Sequence, residues 1–177
     1  MHRALSLTSG TALILLAACQ PSGKPQPLTA ADSTALTKVR TDFVAAWNAG
    51  RVDALVALFA DDAELQPSDK PAVRGTTALQ TYFNTALGTP TRPKLDLPQG
   101  ALVGRQDMAV SSGPFTFTPP APSAPAKGAA PAAPAPMSGK HLTVLMRQPD
   151  GSWKIARDAV TMDAPMPGTV AAGGRAR

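Results

Sequence analysis

The chain has 177 residues, enough for one modest domain once its ends are set aside, and its 19 prolines and 14 glycines confine regular structure to part of that length. Its net charge of +5 arises mostly at the ends: from Thr29 to Pro165, 13 Lys and Arg stand against 12 Asp and Glu, so the folded part lacks the basic excess that a nucleic-acid partner demands. Cys19 is the single cysteine and His2 lies in the leading segment, which excludes an internal disulfide and leaves His141 alone, short of the three or four ligands of a zinc site.

Arg3 gives the chain a positive start, Ala4 to Ala18 is mostly apolar, and small residues stand just before Cys19. A bilayer span needs about 20 apolar residues, so this shorter stretch, residues 1–18, predicts a signal peptide. Leu16-Ala17-Ala18-Cys19 resembles the bacterial lipobox. The resemblance implies cleavage before Cys19, a diacylglyceryl thioether on its sulfur, and a further acyl chain such as palmitate on the new amino group. Only a thiolate is nucleophilic enough to form that thioether. Several acyl chains hold a protein to a membrane where one would be marginal. Lipoproteins retained at the inner membrane tend to carry aspartate after the cysteine; Gln20 implies the outer membrane, facing the periplasm. Residues 19–28, with three prolines, a glycine and a serine, read as an extended, lipidated tether.

From Thr29 the pattern changes. Leu36, Val39, Phe43 and Trp47 recur at spacings of three or four, which predicts a first helix with Thr29 as its cap and Gly50 at its end. A second helix is expected from Val52 to Ala60, stopped by Asp61-Asp62. Ala63 to Gln66 reads as a short strand, followed by a turn-rich link to Gly75. A third helix, Thr76 to Leu87, places Leu79, Tyr82, Phe83, Ala86 and Leu87 on one side.

Beyond Pro90 alternation replaces the helical repeat. Lys94 to Leu97, Ala101 to Gly104 and Asp107 to Thr118 are expected strands, with Gly100 and Gly113-Pro114 as bends or bulges. Between Pro119 and Pro136, 15 of 18 residues are proline or alanine, which denies both helix and ladder hydrogen bonds. His141 to Gln148 and Ser152 to Met162 follow as a hairpin around Pro149-Asp150-Gly151. Two strands alone are marginal in water. The hairpin is therefore expected to rejoin the same sheet, making residues 119–138 a long insertion within the domain at 29–165; residues 166–177 read as a tail.

Helices followed by antiparallel strands is an α+β order in which helices cover one face of a curved sheet. The segments "AAWNAGRVDALVALFADDAEL" (Ala45 to Leu65), "VRGTTALQTYF" (Val73 to Phe83) and "GKHLTVLMRQPDGSWKIARD" (Gly139 to Asp158) resemble the SnoaL-like or DUF4440 branch of the NTF2-like, cystatin-like superfamily. The resemblance implies a cone of three N-terminal helices packed on a curved, mainly antiparallel sheet, with a pocket between them. It does not imply one activity, since the superfamily holds ketosteroid isomerase, cyclases, dehydratases, carriers and association domains.

Ketosteroid isomerase carries its basic aspartate on the strand after the Asp-Asp of the second helix's end, and the matching position here falls near Gln66 or Pro67, neither of which takes up a proton usefully. Glu64, which shares a strand face with Gln66, is the nearest carboxylate, as a substitute base or as an exposed strand residue. Asp61 and Asp62 read as turn residues. Tyr82 is either a core residue or a donor to a ligand oxygen. Trp47 and Trp153 read as core aromatics, with Trp47 at the pocket mouth. Alternation sets His141, Thr143, Leu145 and Arg147 on one face of their strand, and separates Trp153, Ile155 and Arg157 from Lys154, Ala156 and Asp158. Arg147 and Asp158 form the polar pair to inspect, as a ligand-polarising pair or an ordinary cross-strand ion pair.

No glycine-rich phosphate loop, nucleophile elbow or Cys/His pair is present, so neither cofactor nor metal is expected. The resulting expectation is a lipid-anchored envelope domain that binds a small apolar ligand or a protein partner without catalysis, with candidate ligand contacts Trp47, Gln66, Tyr82, Arg147 and Asp158. The rival is an isomerase-, cyclase- or dehydratase-type enzyme with Asp158 or Glu64 as base and Tyr82 or Arg147 as electrostatic partner. A homodimer through the outer face of the sheet, a property of relatives, is a further expectation.

Overall fold

Thr29 and Asp32 start the first helix reciprocally. The Thr29 hydroxyl accepts from the Asp32 N–H while the Asp32 carboxylate accepts from the Thr29 N–H, a capping box that satisfies two otherwise orphaned donors. The computed structural model describes residues 26–68, 70–89, 92–120 and 135–164; the expected signal peptide, Cys19, most of the tether and the tail lie outside them. Helix α1 runs Ala30–Ala49 and ends at Gly50, whose φ of 66° is the left-handed conformation that glycine adopts without a Cβ penalty. Just before the cap, Pro27 bridges to Arg105 and the Gln106 N–H donates to the Gln26 carbonyl, so the chain is already held to the sheet there.

Helix α2 is shorter than expected, Val52–Val56, and strand β1 opens at Phe59 and runs to Gln66. Leu58, Phe59 and Ala60 fit an apolar helix or an apolar strand equally, and pairing of Phe59 with Ile155 decides for the strand. Asp61 and Asp62 are thus exposed residues of β1, not a helix stop. The link to Gly75 contains a two-residue strand, β2 (Val73–Arg74), paired to β1. Helix α3 occupies Thr76–Leu87 as predicted.

Five strands follow: β3 (Lys94–Asp96), β4 (Ala101–Arg105), β5 (Met108–Thr118), β6 (Met137–Arg147) and β7 (Trp153–Met162). The sheet order is β2-β1-β7-β6-β5-β3, with β4 also beside β5, and every pairing is antiparallel except β1 with β7. Gly113 and Pro114 continue β5 without a bulge towards β6. On the other side, β4 stops pairing at Ser112 and β3 begins at Thr116, so Pro114, with no N–H to give, falls where no strand lies alongside. Phe117 and Met137 pair across the neck of the Ala/Pro-rich insertion. Strand β6 therefore begins inside the expected insertion; residues 121–134 lie outside the described set.

The helices lie on one face of this sheet and bury Leu36, Leu55, Leu79 and Phe83 against Phe59, Phe115, Leu145 and Ile155 in a single core. A bulge in β7 corrects the simple alternation. Leu145 pairs with Ile155 and Val144 with Arg157, leaving Ala156 as the extra residue. Trp153, Ile155 and Asp158 are consequently buried while Arg157 is exposed. The bulge, invisible to a period of two, turns Asp158 inward.

Candidate functional site

Between α1, α3 and the sheet lies a cavity of about 320 Å³, within the range of small-ligand pockets. Its walls are largely aromatic and aliphatic. Trp47 lies over Phe117 with ring centres 5.1 Å apart, meets Phe83 edge-on, and donates its indole N–H to the Pro93 carbonyl at 3.0 Å. The next residue, Asn48, pairs its side-chain amide with both backbone groups of Leu95, accepting at 2.8 Å and donating at 2.9 Å, which fixes β3 against the helix. These bonds satisfy the backbone where the chain leaves helical order, and so hold the cavity open between rigid elements.

The polar groups of the cavity are few. Asp158 stands across from Thr143 on β6 and Leu65 on β1, is 7 % exposed, and accepts a 2.7 Å hydrogen bond from the Thr143 hydroxyl. Burial raises its pKa to about 6, against the opposing effect of that bond. His141 is also buried. Desolvation holds its pKa below the ordinary value, aided by the charge of Arg40 and opposed by the Gly113 carbonyl. That carbonyl makes no geometrically sound hydrogen bond to Nδ1, which is left without a partner; Nε2 lies 3.5 Å from the Ser111 hydroxyl. Arg40 donates from Nη1 to the Leu97 carbonyl. Tyr82 lines the wall half-buried, edge-on to Phe83, with Lys70 Nζ 5.8 Å from its ring centre.

Of the residues singled out in the sequence, the cavity brings together Trp47, Tyr82 and Asp158. Gln66, Glu64 and Arg147 are not among its lining residues. Glu64 is joined to Gln66 and Arg74 on the opposite side of β1, and these hydrogen bonds lower its pKa. Arg147 does not meet Asp158. It reaches across to Asp32 and lies over the Trp153 ring. Asp32, bonded first by the Thr29 N–H and hydroxyl and then by Arg147, is held well below the usual carboxylate range. The inspected pair thus separates into a capping cluster and a lone cavity carboxylate: Asp158 pairs with Thr143 and Arg147 with Trp153, so the two side chains lie four residues apart along β6.

Arg40, Ser111 and Thr143 were not singled out, and His141 was weighed only as a metal ligand. A signal existed for two of them. Arg40 interrupts the apolar stripe of α1, lying four residues after Leu36 and three before Phe43, and Thr143 shares the inward face of Leu145. Among the described residues no group of three or more His, Cys, Asp or Glu is placed to hold a metal ion, and no helix is long and apolar enough to cross a membrane.

The profile of the SnoaL-like domain family matches residues 41–168. The chain belongs to that family. Solved structures share the SnoaL-like architecture at low identity. A cystatin-like-fold protein of unknown function from Nostoc punctiforme has 19% identity and a TM-score of 0.64, over 79% of this chain and 97% of its own. A ketosteroid isomerase-like protein from Erwinia carotovora atroseptica has 19% identity and a TM-score of 0.63, over 77% and 100%. An NTF-2-like protein of unknown function from Shewanella oneidensis has 13% identity and a TM-score of 0.57, over 73% and 98%. Curated proteins give no match to this sequence. The likeness is one of fold: an α+β SnoaL-like domain with helices on a curved sheet.

Proposed function

We propose that this SnoaL-like domain binds a small, largely apolar molecule in the cavity between its helices and sheet, and that a lipid on Cys19 holds it at the outer membrane, in the periplasm. The observation that carries the binding reading is the cavity itself: about 320 Å³, walled by aromatic and aliphatic side chains and carrying one buried carboxylate. A void of that size and lining forgoes packing contacts that a well-filled core would make, and an apolar guest restores them. The lipid anchor is supported by the sequence before Cys19 alone.

A second reading, a proton-transfer enzyme of the isomerase, cyclase or dehydratase kind, is favoured by one feature. Asp158 faces the cavity with a pKa of about 6, close to the working pH of a general base. Arg147 takes no part in that reading, since it is bound to Asp32.

Ala86 lines the cavity from α3, and Ala86→Phe fills part of it without adding a charge. Mass spectrometry of the purified full chain is expected to find a small molecule retained by the wild type and lost from Ala86→Phe. Equal retention by both, or none by either together with no binding of added apolar probes, would sink the binding reading. Incubating the retained molecule with protein in heavy water separates the two readings: deuterium entering one of its C–H positions at an Asp158-dependent rate establishes catalysis.

A further inference from the structure

The Asp158 carboxylate is provided for on one side only. Thr143 gives it a hydrogen bond, and no other donor among the described residues reaches it. The sealed polar atoms without partners are Arg40 Nε and His141 Nδ1. The Asp158 oxygens are not among them, and Asp158 lines the cavity. Neighbouring strands offer no cation: β1 presents Leu65 and β6 presents Thr143. Arg40 gives one N–H to the Leu97 carbonyl and pairs with no carboxylate among the described residues, and Lys70 stands exposed beside the Tyr82 ring. A buried carboxylate lacking a cation is costly unless something supplies donor and charge together. A protonated amine does both in one group, and Phe43, Trp47 and Phe117, which line the same cavity, give an apolar seat to its hydrocarbon body.

We infer that the cavity is a site for apolar amines, with the ammonium group seated on Asp158 and the hydrocarbon body against the aromatic wall. This rests on the binding reading above and names its ligand class. The pH dependence follows from the groups facing the seat. Below about pH 6 Asp158 is protonated in the empty cavity, so binding an amine must expel that proton and weakens as the pH falls. His141 on β6 acts in the same sense, since any proton it gains at low pH adds a charge to repel the guest. Other polar groups lining the cavity include Arg40 on α1, Lys70, and the hydroxyls of Ser111, Thr143 and Tyr82.

The test is calorimetric titration of the full chain, in detergent kept below its micelle concentration, with cyclohexylmethylamine, cyclohexylmethanol and cyclohexanecarboxylic acid. The amine is expected to bind roughly tenfold tighter than the alcohol at about pH 7.5, and the acid weakest. The amine's advantage should shrink by up to about tenfold at about pH 5, and Asp158→Asn should abolish it while leaving the alcohol bound. If Asp158→Asn does not fold, the opposite pH trends of amine and acid on the wild type decide alone. Equal binding of all three, or preference for the acid, overturns the amine inference and leaves the apolar cavity reading standing. Binding of none overturns both.

Discussion

Asp158 is the residue on which the site turns, and its chemistry predicts a stability signature as well as a ligand. The folded state binds its proton more tightly than the unfolded chain, because burial moves the pKa from 3.8 to about 6. Stability contributed by the neutral form is therefore lost as the pH rises through that interval, and the full cost, roughly 3 kcal/mol, applies above it. Asp158→Asn keeps an acceptor for Thr143 and removes the charge. Denaturant titrations should show the variant more stable than the wild type by up to about 3 kcal/mol near pH 7.5 and nearly equal to it near pH 4. Equal stability at both values would mean the carboxylate is solvated after all. His141 runs the other way, since its lowered pKa costs stability as the pH falls below its ordinary value. At this scale the sequence was half legible. Asp158 and Tyr82 stand out by residue type, whereas Arg40 is hidden within an otherwise apolar helical stripe, and the long reach of Arg147 to Asp32 spans 115 positions of sequence.

At the level of elements, legibility followed length. Helices α1 and α3 are legible through a repeat sustained over several turns, and α1 also through its caps, Thr29 and Gly50. Helix α2 and strand β1 share a run, Leu58-Phe59-Ala60, that no local rule divides, and β2 is too short to carry a pattern. Strands β6 and β7 approach closely at Gly139. A Cβ there would stand 2.4 Å from the Thr161 carbonyl oxygen and 2.5 Å from the Phe115 ring, distances that neither backbone nor a buried aromatic can yield. Gly139→Ala is expected to separate β6 from β7 and to lower stability by roughly 1–3 kcal/mol in chemical denaturation. A change below about 0.5 kcal/mol would show that the pairing has room that the geometry denies.

For the whole molecule, the α+β class and the return of the last hairpin to one sheet were legible, the latter from the argument that two strands cannot stand alone. The pairing of Phe117 with Met137 shows the means: a long insertion leaves one strand and re-enters beside it, so its length and composition need not disturb the sheet. The cavity was not legible from residue patterns, since it is a property of how α1, α3 and the sheet fail to fill a volume; the resemblance to a family supplied the expectation. The anchoring proposal belongs to this scale too. Cys19→Ser is expected to move the protein from the membrane to the soluble fraction, with the mass of the product showing whether the leading segment has been removed. A membrane-bound, correctly shortened serine variant would end that proposal.

The bridge between Pro27 and Arg105, with the Gln26 carbonyl bonded to Gln106, has a mechanical meaning. Traction arriving through the amino-terminal segment meets the β4–β5 turn before it meets the first turn of α1. Those few bonds bear the load first: while they hold, the helix cap, and the chamber behind it, are shielded from it.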